Sequence, residues 1–206
     1  MPKKLDIYIQ AVLIASYPLI AHLSILLGKP ELHLISFCAL LVGVLWQGLI
    51  KPNVKVWAWF VVICLSFFLL SRWRLDLYLL YVPPVLIPLV LLLYFGKTLL
   101  PNETPLITAI ADAARGPLTP AMASYTRRLT QLWCGIFILL IVEALVLISF
   151  FNLTAWSWAT NCINYLLMAI IFVGEFEFRK KKFPDHDHPT FLDYIKIIGQ
   201  SFRNKV

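Results

Sequence analysis

Residues 144–174 read ALVLISFFNLTAWSWATNCINYLLMAIIFVG, 31 consecutive positions without a formal charge. A hydrocarbon core of ~30 Å is crossed by about 20 helical residues rising ~1.5 Å each, so this run exceeds a single crossing. It reads as the end of one span, a tight antiparallel turn between Phe151 and Trp156, and a second span that returns. The spans are placed near 131–151 and 156–174. Working toward the N-terminus, four further uncharged runs follow the same rule: 22 residues from Ile7 to Gly28, 19 from Leu32 to Ile50, 16 from Val56 to Ser71 and 20 from Leu77 to Gly96. They predict spans near 7–27, 33–50, 56–71 and 77–95. The third is the shortest, but Lys55 and Arg72 bound it. Trp57, Trp59 and Trp73 also lie near its ends, where amphipathic rings favour the membrane interface.

Composition agrees with this reading. Of 206 residues 60% are hydrophobic and 14% charged, and the mean hydropathy is +0.80, which excludes an ordinary water-soluble globule. The expected class is all-α, a polytopic membrane protein forming one integral domain over residues 1–206, with six transmembrane helices. Lys3 and Lys4 before an apolar stretch imitate a signal peptide. That stretch reaches span length and lacks an A-x-A site, so it is read as a retained first span.

Orientation follows from the cations. With the N-terminus inside, the inner side holds Lys3, Lys4, Lys51, Lys55, Lys97, Arg115, Arg127, Arg128, Arg179, Lys180, Lys181, Lys182, Lys196, Arg203 and Lys205. The outer side holds Lys29, Arg72 and Arg74, a split of fifteen to three. An odd number of spans would move the C-terminal basic cluster outside. Both termini are therefore expected in the cytoplasm. The net charge of +7 and pI near 9.3 are explained by these flanks, and no nucleic-acid partner is expected.

Two segments on the inner side carry pattern of their own. In the loop 96–130, Thr104-Pro105 and Thr119-Pro120 each offer a side-chain oxygen at an N-cap and proline at the first helical position. The first helix would carry Leu106, Ile107, Ile110, Ala111 and Ala114 on one face and stop near Gly116-Pro117. The second would continue into the fifth span. In the tail 175–206, Phe191, Ile195, Ile198 and Phe202 recur at an amphipathic helix period, with Lys196, Arg203 and Lys205 on other faces.

Polar groups inside the spans are the first site candidates, because ionisable residues in hydrocarbon are costly and face the bundle interior. Glu143 lies eight residues before Phe151 and Asn164 eight after Trp156, so the hairpin sets them at one depth. The pair is read either as an interhelical clasp or as a proton-handling or head-group-binding carboxyl. Asn161 and His22 join them as candidate intramembrane polar residues. Pro83, Pro84 and Pro88 are expected to kink the fourth span. Cys38, Cys64, Cys134 and Cys162 are spread singly over four runs without C-x-x-C spacing, so they read as small apolar side chains.

Asp185-His186-Asp187-His188 places four metal-ligand types in a row, but neighbours rarely converge on one ion, and no metal or other cofactor is expected. His188 and Asp193 reproduce an H-x-x-x-x-D spacing, similar to the general-base pair of glycerolipid acyltransferases. The remaining acyltransferase blocks are missing, so these two are weak catalytic candidates and a non-enzymatic role leads. Gly96-Lys97-Thr98 ends like a phosphate loop, yet Leu91 stands where its first glycine belongs.

The stretches Gly96-Lys97-Thr98-Leu99-Leu100-Pro101, Thr104-Pro105-Leu106-Ile107-Thr108 and Tyr125-Thr126-Arg127-Arg128-Leu129-Thr130 carry a likeness, as do Gly174-Glu175-Phe176-Glu177-Phe178-Arg179, Phe183-Pro184 and His188-Pro189-Thr190-Phe191. Together the chain resembles an uncharacterised family of bacterial inner-membrane proteins. Such proteins are encoded among the ketosynthases, acyl carrier proteins and acyltransferases of aryl polyene (xanthomonadin-type) clusters. The resemblance implies a multi-pass inner-membrane protein that assists aryl polyene or fatty-acyl lipid biosynthesis. It identifies no reaction. Phe176 and Phe178 depart from the expected pattern, in which at least one is tyrosine. Lys97, Arg127, Arg128, Arg179, Lys180, Lys181 and Lys182 are the candidates for docking an acyl carrier protein, a lipid-synthesis enzyme or a lipid head group, since their cations match phosphate and carboxylate. A small transporter or flippase for a lipid-linked product, using Glu143 and Asn164, and a membrane-bound acyltransferase are the alternatives.

Overall fold

In a computed structural model the chain is described over residues 4–184, except Pro52 and Arg74. The elements are α1 (Lys4–Leu26), α2 (Glu31–Ile50), α3 (Val54–Arg72), α4 (Asp76–Lys97), α5 (Leu106–Arg115), α6 (Pro120–Phe150) and α7 (Leu153–Trp158). A π-helical segment (Ala159–Ile163) then leads into α8 (Asn164–Lys182). No strand occurs among these residues. Six helices are long and apolar enough to cross a membrane, the last formed by the continuous run from Leu153 to Lys182. The all-α polytopic reading holds, and each expected span lies within an observed helix to within a residue or two.

Helix starts follow local chemistry. Asn53 caps α3 by accepting from the N–H groups of Lys55 and Val56 at 3.1 and 3.4 Å, and Asn152 caps α7 by accepting from Ala155 N at 2.8 Å. Thr119 caps α6 as its Thr-Pro pattern predicts, its hydroxyl accepting from Met122 N at 3.3 Å. Pro83, Pro84 and Pro88 do not end α4, which runs unbroken from Asp76 to Lys97.

Two boundaries differ from the sequence reading. The loop helix begins at Leu106, one residue late, with Pro105 rather than Thr104 at the cap position. Its cap comes from a distance, because Thr98 Oγ1 accepts from Leu106 N at 3.0 Å while its own proton goes to Phe95 O at 2.7 Å. The expected face is covered, with Ala111 buried and Ala109, Asp112 and Ala113 exposed, and Gly116 closes the helix at φ +82°, a conformation glycine tolerates. Thr98→Val is expected to cost ~1 kcal/mol, seen as faster amide exchange at Leu106 and Ile107. Thr98→Ser and Thr104→Ala should leave exchange there unchanged.

The second difference concerns length. Residues 175–182 continue α8 past the expected span end at Gly174, whereas α6 is, as expected, one helix running from the loop into the fifth span, 31 residues long. At ~1.5 Å per residue each of the last two spans is about 45 Å long, some 15 Å beyond a ~30 Å core. Helix propensity explains it: the helix continues past the apolar run because Glu175, Glu177, Arg179 and Lys180 are good helix formers, paired at spacings of four and three. The amphipathic segment through Phe191 and Phe202 lies outside the described residues.

The chain divides into two compact units, Met1–Val85 with Glu143–Met168, and Leu86–Val142 with Ala169–Val206. In the first, α1 packs most closely on α2, and Tyr17, Ala21, Leu80 and Trp156 form a buried cluster bordered by Ile25, Leu40, Leu77, Tyr81, Leu147, Ile148 and Leu153. Tyr81 meets the Trp156 ring edge-on at 4.7 Å, and Phe37 stacks on Phe67 at 4.5 Å. The second unit buries Ala111, Met122, Leu129, Trp133 and Phe137. There Phe95 meets Phe137 edge-on at 5.3 Å, and Phe172 packs on Trp133 at 4.7 Å. Many other large apolar side chains, among them Val12, Val61, Leu139 and Phe150, are exposed, as helices solvated by acyl chains allow.

Candidate functional site

Within the second unit, the extended ends of α6 and α8 meet. Tyr125, in the second turn of α6, donates its hydroxyl to Glu175 Oε1 at 3.2 Å. The same oxygen lies 3.5 Å from Arg179 Nε, one helical turn on, and both side chains of that pair are 14% exposed. The Tyr125 ring stacks on Phe178 with centroids 6.2 Å apart and meets Phe183 edge-on at 5.5 Å. Lys182 Nζ stands over all three rings, at 4.9 Å from Tyr125, 5.6 Å from Phe178 and 5.9 Å from Phe183. An ammonium over aromatic faces is held by the ring quadrupole. Two stretches that the resemblance singled out, fifty residues apart in the chain, thus form one cluster.

The loop is tied to the same place. Arg127 Nη2 donates to Leu99 O at 3.2 Å. Thr108 and Thr126 hydroxyls are 2.7 Å apart. Thr126 has one proton, for which Met122 O and Ala123 O compete at 3.0 Å each, so Thr108 donates to Thr126.

These contacts sort the seven basic candidates. Arg127, Arg179 and Lys182 are engaged internally. Lys97 lies 6.0 Å from the Tyr94 ring centroid. Lys180 is 3.7 Å from Glu177 in an exposed pair worth little in water, and also lies over Phe176 at 5.4 Å. Arg128 and Lys181 are exposed and have no ion pair among the described residues. Among the described residues, these two of the seven have neither an ion pair nor a side-chain hydrogen bond or ring contact. Glu175 and Tyr125, the organising pair, were not candidates. The Glu175/Arg179 spacing of four was a visible clue, but the tie to Tyr125 was not.

The first unit holds the intramembrane candidates. Asn164 Nδ2 donates to Glu143 Oε2 at 2.8 Å, the pairing that the hairpin register predicts. His22 and Asn161 converge on a residue the sequence did not flag, Ser157. His22 Nδ1 is 2.8 Å from Ser157 Oγ, and Asn161 Nδ2 donates to the same oxygen at 3.2 Å. All three are buried, at 6%, 3% and 0% exposure for His22, Asn161 and Ser157. Since the Ser157 proton has no other acceptor among the described residues, it goes to His22 Nδ1, and the ring carries its hydrogen on Nε2. That Nε2 is buried without a hydrogen bond, and the ring lies edge-on to Trp158 at 4.5 Å.

The π segment accompanies this convergence. Asn164 N bonds Ala159 O, a five-residue step, while Thr160 Oγ1 takes the Trp156 carbonyl at 2.9 Å. A π turn inserts a residue and re-aims the side chains around it, and such turns recur at functional sites. Nothing in the apolar pattern signalled it.

Cys38 and Cys64 Sγ atoms are 4.0 Å apart, a proximity that their single spacing in the sequence did not reveal. No group of three His, Cys, Asp or Glu that could hold a metal ion occurs among the described residues. The Asp185–His188 tract and the His188/Asp193 pair lie outside them. Compared with family models, curated proteins and solved structures, the chain matches none.

Proposed function

We propose that this chain is an accessory integral membrane protein of the bacterial inner membrane that assists aryl polyene or fatty-acyl lipid biosynthesis. In this reading both termini are cytoplasmic, and the Tyr125–Glu175 cluster holds a basic platform against the membrane surface. The observation that carries it is that, among the described residues, Arg128 and Lys181 are exposed and without an ion pair, close in the chain to a cluster that engages Arg179 and Lys182. An acyl carrier protein is acidic and brings its chain on a phosphopantetheine arm. Exposed cations at a membrane surface steer such a partner by charge.

The test is recovery of partners from native membranes with an affinity-tagged copy. Carrier protein or lipid-synthesis enzymes are expected with the wild type at low salt. Arg128→Glu with Lys181→Glu should lower recovery on the order of tenfold or more, as two reversed charges would. Undiminished recovery with the double variant, or an unchanged lipid profile in a deletion strain, rejects the proposal.

One observation favours a second reading, a small transporter or flippase for a lipid-linked product. The first unit buries the His22–Ser157–Asn161 cluster and half-buries the Glu143–Asn164 pair among apolar helices, at the cost that hydrocarbon imposes on polar groups. If they line a path, Glu143→Gln abolishes translocation in vesicles at unchanged protein abundance. Unaltered translocation makes the pair a clasp.

A further inference from the structure

Near the turn between α2 and α3, entirely within the first unit, lies an open groove of about 280 Å³ lined by Val42, Trp46, Leu49, Ile50, Trp57 and Phe60. Its construction follows from two contacts. A Cβ on Gly48 would lie 2.8 Å from both Val56 methyl carbons, so the absence of a side chain there brings the helices together beside the turn. Trp57 Nε1 donates to Leu49 O at 3.2 Å, which fixes one indole as a wall. The bulky residues of α2 and α3 that remain enclose an almost wholly apolar space.

Lys51 and Lys55 flank the groove's lining residues in the chain, immediately after Ile50 and two residues before Trp57. Both are exposed, and neither has an ion pair among the described residues. The acidic residue of α2, Glu31, stands at its opposite end, and α3 has none. Two uncompensated ammonium groups beside an apolar groove, at the end of a transmembrane hairpin, ask for one kind of occupant: an anionic head joined to an aliphatic chain. The open shape of this apolar groove suits a stretch of one acyl chain.

We propose that the α2–α3 groove binds one acyl chain of an anionic phospholipid whose phosphate is held between Lys51 and Lys55. This site is separate from the Arg128/Lys181 platform and stands whether or not a carrier docks there. Lysine suits it, as a point charge that meets phosphate in the head-group layer without a fixed fork geometry. Trp46 and Trp57 lie five residues before Lys51 and two after Lys55, near the helix ends, where indoles favour the membrane interface.

The experiment is native mass spectrometry of the full-length protein in detergent, titrated with dioleoylphosphatidylglycerol and, separately, dioleoylphosphatidylcholine. One retained phosphatidylglycerol is expected, binding at least tenfold tighter than phosphatidylcholine. Lys51→Gln with Lys55→Gln should remove that preference, a loss on the order of tenfold to thirtyfold for two interfacial cations. Val42→Trp should fill the groove and weaken both lipids. Glycerol phosphate should not displace the lipid, since a site for the head alone would release it. As a check independent of folding of the variants, phosphatidylglycerol brominated along its chain should quench wild-type tryptophan fluorescence more than brominated phosphatidylcholine at equal mole fraction. Equal binding of the two lipids, a preference that survives the lysine double variant, displacement by glycerol phosphate, or a dimer whose formation excludes lipid overturns the proposal.

Discussion

Gly43→Leu is expected to lower the unfolding temperature of the detergent-solubilised protein by on the order of 5–10 °C, equivalent to ~2–3 kcal/mol. A Cβ at Gly43 would stand 2.7 Å from Ile14 Cγ1, 3.1 Å from Ile14 N and 3.2 Å from Leu13 Cβ. The Ile14 methylene is able to rotate away, but the backbone nitrogen moves only if α1 moves. Lipid tails are as apolar as leucine, so helices in a bilayer associate through close packing rather than through escape from water. Separating the most closely packed helix pair of the first unit therefore removes its main source of attraction. Gly135 in α6 supplies the control. A Cβ there meets nothing within 4 Å, so Gly135→Leu should leave the transition unchanged or raise it slightly, as leucine is the better helix former. Equal effects at the two positions would show that the α1–α2 approach does not carry stability.

Ser157→Ala is expected to cost ~2 kcal/mol, with a fall in unfolding temperature on the order of 5 °C. The serine oxygen serves two buried partners, His22 and Asn161, and removing it leaves a ring nitrogen and an amide without their acceptor or donor. Measured side-chain hydrogen bonds in membranes average only ~0.6 kcal/mol. This deletion is expected to exceed that mean because it strands two groups at once and adds no bulk. The diagnostic measurement is a double-mutant cycle. His22→Leu with Ser157→Ala should cost less than the two single changes summed, since an apolar pair has no unmet donor or acceptor. Strict additivity would mean that the two side chains are adjacent but not coupled.

Much of this molecule was legible in the residue order, for reasons visible at particular positions. The six spans follow from run length alone, because a helix satisfies its own backbone and only an apolar exterior is then required. The Glu143–Asn164 pairing followed from counting residues on either side of Phe151 and Trp156. Thr119-Pro120 announced its helix start correctly, and the Leu106–Ala114 face was covered as its periodicity implied.

The failures also have identifiable physical causes. Thr104 was the better cap on local grounds, yet Thr98 took the role, because the loop folds back and local propensity yields to a nearer oxygen. The helix that carries the last span runs past the expected span end at Gly174 to Lys182, since hydropathy marks the edge of the hydrocarbon and not the end of a helix. Ser157 escaped notice although Thr154, Ser157, Asn161 and Asn164 recur at spacings of 3, 4 and 3, a polar stripe at the helical period.

What the sequence determined by itself was the all-α class, the six helices long and apolar enough to cross a membrane and the positions of residues along each of them, all of which depend on position along a single helix. What only the tertiary structure decided was azimuth: which side of each helix faces a neighbour. Both faces are rich in apolar residues, and the buried one is marked only by scattered polar side chains such as Ser24, Ser36, His22 and Asn161, so hydropathy alone gives each helix no preferred side. The meeting of Tyr125 with Glu175, of His22 with Ser157, and of Lys182 with three rings had to wait for the packed chain.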